Sequence, residues 1–274
     1  MEDKNELSLE EIKKIELDIL KDIHQVCENN GLRYYLAGGT LLGAIRHKGF
    51  IPWDDDIDII MPRPDYMKFI KIYENEGDKK YKLISPYNNK NHLYTFTKVF
   101  DTRTVKIENG IDYDSDNIGG IEVDIFPSDG LPDNIKKSNN YFFRQKILFN
   151  FYTFSVLKYR KGKNVIKNII KNTIISICKL FGKNRFIELI NNMAMKYDFN
   201  NSKYIAVSVT PYYGKKERLE KDRFINPIKV EFEGYLFNAP ENYDQYLSNL
   251  YGEYMKLPPE EKRITHHNYK AYWK

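Results

Sequence analysis

Closely spaced carboxylates are the strongest chemical signal in this sequence. Asp56 and Asp58 follow an acidic turn that begins at Asp54, and Ile57 to Met61 is predicted to be a β-strand. Since alternate residues of a strand point to the same side, the two carboxylates leave one face and repel each other unless a cation lies between them. Carboxylate oxygens are ligands that Mg²⁺ prefers, so the spacing favours a magnesium site, with a solvated acidic turn as the alternative.

A glycine pair precedes these acids and is suited to phosphate. Gly38 and Gly39 lie between a predicted strand, Leu32 to Ala37, and a predicted short helix, Thr40 to Arg46. Glycines let backbone amides approach a phosphate closely, and the N-terminus of a helix favours its negative charge. An ordinary turn is the alternative, because a glycine pair alone is a weak signal.

A third carboxylate, Asp124, lies in the middle of an otherwise apolar predicted strand, Ile121 to Phe126. A charge in such a position is costly without a partner, and a salt bridge is one explanation for it. A role in catalysis is a second explanation. The order of glycine pair, paired acids and third acid resembles the layout of the nucleotidyltransferase fold. In that fold two carboxylates hold Mg²⁺ and a third completes the site or takes the proton of a hydroxyl.

The elements that must position these groups alternate between helix and strand. A capping box at Ser8 to Glu11 opens a helix whose apolar residues recur every three or four positions until Gly31 ends it. Pro64 fits the first turn of another helix, which is predicted to run to about Tyr73. Further strands are predicted over Tyr81–Ser85, Tyr94–Phe100, Thr104–Glu108, Ile205–Val209 and Val230–Phe237, and a last helix over Glu241–Tyr251.

We therefore expect an α+β (mixed α/β) protein whose core is a short mixed sheet with flanking helices. Residues 1–134 are predicted to form a nucleotidyltransferase-like catalytic core, residues 135–200 a helical insertion, and residues 201–274 a small C-terminal module. No Gly/Ser-rich linker separates these segments, which predicts one compact body rather than separate domains.

Composition excludes several classes of protein. The 274 residues include 43 Lys and Arg against 38 Asp and Glu, a net charge of +5 that suits anionic partners such as nucleotides but is too small to indicate nucleic-acid binding. No apolar run approaches the roughly 18–20 residues of a membrane span, and the polar N-terminus is unlike a secretory signal. Cys27 and Cys178 form no CxxC motif, so a reduced cytoplasmic protein is the simplest interpretation.

Longer stretches around the acids make a family resemblance specific. The segment Tyr34–Asp58 resembles the LicD family of phosphotransferases, which includes the fukutin-related enzymes. The resemblance extends over nearly the whole chain and is weakest from about residue 140 to 200. Its further matches are Thr97–Thr104, Val123–Pro127, Tyr251–Pro259 and the pair His266–His267.

The resemblance implies Mg²⁺-dependent transfer of a substituted phosphate from a nucleotide donor to a sugar hydroxyl. For a bacterial member the expected donor is CDP-choline, the acceptor is a teichoic-acid or lipopolysaccharide precursor, and CMP is released. Phosphoethanolamine or polyol-phosphate transfer from another CDP-linked donor is an alternative, as is nucleotidyl transfer to a small molecule. A nucleotide-sensing protein without activity is a further alternative, against which the intact set of Asp56, Asp58 and Asp124 argues.

The resemblance also assigns roles to individual residues. Asp56 and Asp58, with Asp54 beside them, are expected to bind Mg²⁺ or Mn²⁺, and Asp124 to complete the metal site or act as general base on the acceptor hydroxyl. Since the chain lacks the cysteine cluster of animal relatives, no structural zinc is expected. Contacts to phosphate or substrate are expected from Gly38, Gly39, Thr40, Arg46, Lys98 and His267.

The helical middle of the chain is basic and aromatic and has two interpretations. Tyr141–Lys146 and Leu157–Lys163 mix aromatic with basic residues, which fits peripheral contact with an anionic membrane carrying a lipid-linked glycan acceptor. A solvated helix face over ordinary core is the alternative that we favour. One apolar face of a predicted helix in this region is formed by Ile166, Ile169, Ile170, Ile174 and Ile175.

Overall fold

A seven-stranded mixed sheet lies at the centre of the computed structural model, which describes residues 6–108, 119–159, 165–265 and 269–274. The strands of the described residues are β1 (Tyr35–Leu36), β2 (Ile57–Pro62), β3 (Tyr81–Ile84), β4 (Thr97–Asp101), β5 (Thr104–Glu108), β6 (Glu122–Leu131), β7 (Tyr204–Val207), β8 (Leu219–Glu220), β9 (Pro227–Phe232), β10 (Tyr235–Pro240) and β11 (Tyr269–Trp273).

The central sheet is organised around β6. Five of its strands follow the order β1–β2–β6–β4–β3, and β7 pairs with the C-terminal part of β6 and with β8. Strands β2 and β6 are parallel, and the other pairs in this sheet are antiparallel. Two further pairs, β9–β10 and β11–β5, lie outside this sheet.

Helices cover the sheet and build a separate layer after β6. In the described residues they are α1 (Leu9–Asn30), α2 (Gly38–His47), α3 (Arg63–Glu76), α4 (Ile135–Val156), α5 (Val165–Phe181), α6 (Lys183–Ala194), α7 (Lys221–Phe224) and α8 (Tyr243–Tyr251). Helices α4, α5 and α6 pack on one another. No helix of the described residues is both long and apolar enough to cross a membrane.

The start of α1 confirms the predicted capping box. The Ser8 hydroxyl accepts a hydrogen bond from the N–H of Glu11, and the Glu11 carboxylate accepts one from the N–H of Ser8. Gly31 ends the helix in the left-handed region, with φ of 61°. The apolar face of α1 is buried in the main core, together with the two-sided apolar strand β2.

Two strand predictions were wrong for local reasons. The stretch Val230–Phe237 is not one strand but parts of β9 and β10, because Glu233 and Gly234 both have positive φ (51° and 78°) and form a tight hairpin turn. Strand β6 continues beyond Phe126 through Pro127. The pairing of β6 with β4 ends at Ile125, so Pro127 removes no backbone hydrogen bond from the edge of β6 that faces β4. The predicted strand, which ended at Phe126, was therefore too short.

The mixed α/β fold class is confirmed, whereas the division into three segments stays a prediction. Strand β7, from the predicted C-terminal module, joins the same sheet as the predicted core. The predicted helical insertion follows β6 directly, through the cap that the Asn134 side chain makes for α4. Strand β6 of the predicted core therefore pairs with a strand of the predicted C-terminal module and leads directly into the predicted insertion.

Candidate active site

Three neighbouring strands bring two of the predicted acids and one lysine into a row. In the parallel pair β2–β6, Asp58 lies opposite Asp124, and in the antiparallel pair β6–β4, Asp124 lies opposite Lys98. Facing residues of adjacent strands project to the same side of a sheet. The register therefore gathers the three side chains on one face.

Lys98 is buried, and its ammonium group pairs with two carboxylates. Its Nζ lies 2.6 Å from Glu122 Oε1 and 3.1 Å from Asp124 Oδ1, and Lys106 Nζ lies 3.0 Å from the same oxygen of Glu122. Burial opposes the ionisation of Glu122, but the charges of Lys106 and Lys98 outweigh it and lower the pKa to about 2. Glu122 is thus a fixed anion that holds both lysines at the site.

Asp124 is partly buried, with 23% of its side chain exposed, and its charge is paired with that of Lys98. Burial raises its pKa to about 6, although the charge of Lys98 acts in the opposite direction. Its Oδ1 atom is inaccessible and accepts no well-aligned hydrogen bond from the described residues, so the attraction to Lys98 is mainly that of an ion pair. A buried oxygen in this condition is able to take a proton or a cation.

Asp58 is crowded by like charge. Burial, and after it the carboxylates of Asp56, Asp124 and Asp54, raise the pKa of Asp58 well above its usual range, while Lys98 has a smaller opposite effect. Such crowding is relieved when a cation binds between the carboxylates.

Helix α2 begins directly against these acids. Gly38 has φ of 51°, and a Cβ atom at this position would lie 3.3 Å from Asp58 Oδ2. A Cβ atom at Gly39 would lie 2.5 Å from Asp54 Oδ2. The hydroxyl of Thr40 accepts a hydrogen bond of 2.8 Å from the N–H of Asp58. These three residues hold the acidic segment against the helix N-terminus, and their contact with phosphate stays a prediction.

A cavity of about 540 Å³ opens above the row of acids. It is lined by acids, by two lysines and by an unusual number of aromatic rings. The charged residues are Glu16, Asp56, Asp58, Lys98, Lys106, Glu122, Asp124 and Glu217, and the aromatic residues are Tyr94, Phe96, Phe126, Tyr212, Tyr213, Tyr246 and Tyr269.

Two buried acids of this cavity were missed by the sequence analysis. Burial raises the pKa of Glu16 well above its usual range, and its Oε2 atom has no hydrogen-bond partner in the described residues. Burial also raises the pKa of Glu217, to about 8. A signal existed for Glu16, because it lies four residues after Ile12 and three before Ile19, on the apolar face of α1. Glu217 lies in a short polar segment that gives no such signal.

Some predicted residues do not line the cavity. Arg46 donates a hydrogen bond of 2.7 Å to the carbonyl of Tyr254, and its Nε lies 2.9 Å from His47 Nε2. Asp54, Gly39 and Thr40 support the cavity wall without being part of the lining. His267 lies outside the described residues.

The carboxylates fit a divalent metal by their chemistry. The described residues contain no group of three or more His, Cys, Asp or Glu side chains already arranged around one point as ligands. The mutual repulsion of Asp56, Asp58 and Asp124, together with the buried oxygen of Asp124, is nevertheless the condition that a hard cation relieves. We therefore regard these acids as suited to Mg²⁺ or Mn²⁺.

Comparison with known proteins agrees with this geometry. A family model described as "LicD/FKTN/FKRP, nucleotidyltransferase domain" matches residues 31–165, which include α2, β2, β4 and β6. The lipopolysaccharide cholinephosphotransferase LicD of Haemophilus influenzae is 34% identical over 272 residues, which cover 97% of this chain and 98% of that protein. This chain belongs to the LicD family. Its sheet is accordingly a nucleotidyltransferase-like core, and the protein is a LicD-type transferase.

Other relatives match much shorter parts of the chain. The ribitol 5-phosphate transferase FKRP of Homo sapiens is 59% identical over 34 residues, which cover 12% of this chain and 7% of that protein. An uncharacterised protein of Rickettsia prowazekii is 42% identical over 75 residues, covering 24% of this chain. Short matches of this kind indicate a shared local motif rather than a shared substrate.

Proposed function

We propose that this LicD family member transfers phosphocholine from CDP-choline to a sugar hydroxyl of a lipopolysaccharide precursor and releases CMP. A teichoic-acid precursor is the alternative acceptor. The observation that carries the proposal is one cavity that combines crowded carboxylates with seven aromatic residues. Carboxylates with a divalent cation suit a diphosphate, and aromatic faces suit a quaternary ammonium group. The name of the Haemophilus relative supports the same chemistry.

The acids have distinct roles in this proposal. Asp56, Asp58 and Asp124, with Asp54 beside them, would hold Mg²⁺, or Mn²⁺ as the alternative, and the bound ion would neutralise the charge of the diphosphate and of the departing CMP. In the alternative, Asp124 stays outside the metal site and accepts the proton of the acceptor hydroxyl. The hydroxyl oxygen bonds to the phosphorus of phosphocholine as the bond from that phosphorus to the CMP oxygen breaks. With a pKa of about 6, the Asp124 carboxylate is mostly ionised at neutral pH and is available as a base.

The choline group would be held on the aromatic side of the cavity. Tyr213 and Tyr251 have their rings at 84° with centroids 5.8 Å apart, and their hydroxyl oxygens are 3.2 Å apart. Burial, together with the charges of Glu217 and Asp58, raises the pKa of Tyr213, which indicates that Tyr213 lies within electrostatic reach of both acids. A trimethylammonium group beside Tyr213 and Glu217 would thus lie near the acids that would hold its phosphate.

Release of CMP from CDP-choline tests the proposal. Purified protein is incubated with a lipopolysaccharide acceptor and Mg²⁺, with and without EDTA, and the glycan is analysed for phosphocholine by mass spectrometry. We expect CMP release that depends on metal and acceptor, with phosphocholine on the glycan. Nucleotide remaining on the product would instead identify a nucleotidyltransferase. Nucleotide binding without turnover would favour the nucleotide-sensing alternative, and absence of nucleotide binding in the presence of Mg²⁺ would contradict the proposed activity.

A polyol phosphate is the second candidate for the group transferred. The match to the ribitol 5-phosphate transferase FKRP lends support to it, although the match is confined to 34 residues. Turnover of CDP-ribitol but not of CDP-choline would support the proposed site and identify ribitol phosphate, rather than phosphocholine, as the group transferred. CDP-ethanolamine is the control for a primary ammonium group, which aromatic faces bind less selectively than a quaternary one.

We further propose that transfer takes place in the cytoplasm, at the inner face of the membrane, on a lipid-linked acceptor. Fractionation of cells that produce the tagged protein tests this location. We expect part of the protein in the membrane fraction and its release by high salt, because a peripheral electrostatic contact weakens as ionic strength rises.

A further inference from the structure

Charge is distributed very unevenly along this chain. The stretch from residue 134 to residue 187 contains 13 Lys and Arg residues and no Asp or Glu. The remaining 30 basic residues are outnumbered by the 38 acidic residues of the chain, so the positive excess resides in this segment of the sequence, which includes α4, α5 and the start of α6. A segment of this kind attracts an anionic partner and repels a second copy of itself.

Helix α5 adds an apolar stripe, interrupted by Thr173, to this charge. Successive residues of a helix are about 100° apart, so the stripe residues fall on one side, within about 50° of a common line. All of them are exposed large side chains, with fractional exposures from 57% to 90%. They are Ile166, Ile169, Ile170, Ile177 and Leu180.

The stripe is not the face by which α5 packs on the protein. Ile175 and Cys178, which lie on the opposite side of α5, are only 1% and 3% exposed, and α5 contacts α4 and α6. The prediction of a single apolar face formed by Ile166, Ile169, Ile170, Ile174 and Ile175 was therefore wrong. Ile175 is buried and Ile174 packs against the core, whereas the other three are exposed. A helix with a buried face and an exposed apolar stripe opposite it has a surface suited to a partner outside the chain.

Aromatic residues extend this stripe onto the neighbouring helices. Phe181 at the end of α5 lies 4.7 Å from Phe186 between ring centroids, and Phe186 lies 6.3 Å from Phe151 of α4. Phe151 is 43% exposed, and Phe143, two helical turns earlier on α4, is 63% exposed. Phe143 also lines a second depression that includes Tyr212 and Tyr213, both of which line the candidate active-site cavity. The apolar surface therefore approaches the mouth of the site.

We propose that α5 is an interfacial helix that lies along an anionic lipid bilayer with its apolar stripe in the headgroup region. At about 100° per residue, Lys167 lies at one side of the stripe, whereas Lys171 and Lys179 lie toward the side on which α5 packs. The attraction to lipid phosphates is therefore assigned to the basic segment as a whole. At 17 residues α5 is about 25 Å long, which suits a position along the surface rather than across it. Repulsion between two copies of this basic layer favours lipid over a dimer.

Vesicle flotation of the full chain tests this proposal without any nucleotide. We expect the protein to float with phosphatidylglycerol vesicles and to bind pure phosphatidylcholine vesicles at least about tenfold more weakly. The double variant I169E/I177E should lose at least about tenfold of the phosphatidylglycerol binding. The matched control is L236E/M255E, which adds the same two negative charges at residues that are 61% and 59% exposed outside the helical layer, and it should bind like the wild type.

The outcomes separate this inference from the proposed function and from misfolding. Circular dichroism and thermal unfolding of I169E/I177E should match those of the wild type, because the stripe is exposed. Equal vesicle binding by wild type and double variant would overturn the proposal. Light scattering that shows a stripe-dependent dimer, without vesicle binding, would overturn it in favour of a protein interface. Since no donor is present, failure of CDP-choline as substrate leaves the result unaffected.

Discussion

The site around β2, β4 and β6 and the helical layer of α4 to α6 depart from ordinary burial in opposite ways. In the first region, charged side chains lie inside, where Lys98 is 3% exposed and Glu122 is 8% exposed. In the second region, apolar side chains lie outside, and Leu180 is 90% exposed. Buried charges and exposed apolar surface both cost stability, so each is expected where function requires it. The comparison teaches that the two costs belong to different tasks, chemistry in one region and docking in the other.

Removing one crowded carboxylate should have the largest effect. We expect D58N to lower CMP release by about 10⁴-fold, the scale found when an acid that orients a catalytic site is replaced. Its thermal stability without metal should equal or exceed that of the wild type, because the raised pKa of Asp58 means that its ionised form is unfavourable in the fold. E220Q, at an exposed acid, is the control. A D58N protein with full activity would contradict the assignment of chemistry to the region around β2, β4 and β6.

Breaking the ion-pair network should destabilise the fold instead. K98M removes the ion-pair partner of Asp124 and leaves Glu122 with Lys106 alone, so we expect a loss of about 3–5 kcal/mol in urea unfolding at pH 7. The folded pKa of Glu122, about 2, lies below its ordinary value of 4.5, so its ionised form stabilises the protein above pH 4.5 and this contribution disappears as pH falls toward 2. The difference between wild type and K98M should therefore shrink in acid. A constant difference across this pH range would contradict the network.

Replacing Glu217 should change the free energy of unfolding by less than K98M does, and the change should grow as pH rises rather than as it falls. Its folded pKa of about 8 lies above the ordinary value of 4.5, so the wild type loses stability as pH rises from 4.5 to 8. E217Q removes this loss. We expect the two proteins to be equally stable near pH 5 and E217Q to be more stable by roughly 1–3 kcal/mol at pH 9. Unfolding curves that coincide at both pH values would show that Glu217 is not a buried acid.

The smallest effect is expected on the outer side of α5. I170A removes a residue that is 57% exposed and should change the free energy of unfolding by no more than about 0.5 kcal/mol. I175A, on the buried side of the same helix, should cost about 2–5 kcal/mol. Chemical denaturation of both variants measures the contrast. Similar losses for the two would mean that the stripe is packed in solution.

Local patterns predicted the parts of the site that are close in sequence. The step of two between Asp56 and Asp58, the glycines before α2 and the isolated charge of Asp124 all point to one side of a sheet, and the structure gathers Asp58 and Asp124 there. Glu16 and Lys106 come to the cavity from distant elements, and no spacing rule connects them. Their positions depend on how α1 and β5 pack, which is a tertiary property.

The same limit explains the error about α5. A period of three and four identifies an apolar face in Ile166, Ile169 and Ile170, but it does not say what the face meets. The absence of acidic residues from residue 134 to residue 187 was visible in the sequence and is the better signal of an exposed docking face. A helix that packs only on its own protein can carry charged residues of both signs on its solvent face.

Strand β6 has hydrogen-bonded neighbours along both of its edges. Strands β2 and β4 flank its first half, and β7 continues beside its second half. Amide protons of such a strand exchange with solvent mainly through global unfolding, whereas those of α5, which packs on two helices of the same layer, are expected to exchange through smaller openings. The protein can therefore loosen its outer helix repeatedly while Asp124 keeps its place, so that docking and release need not disturb the chemistry.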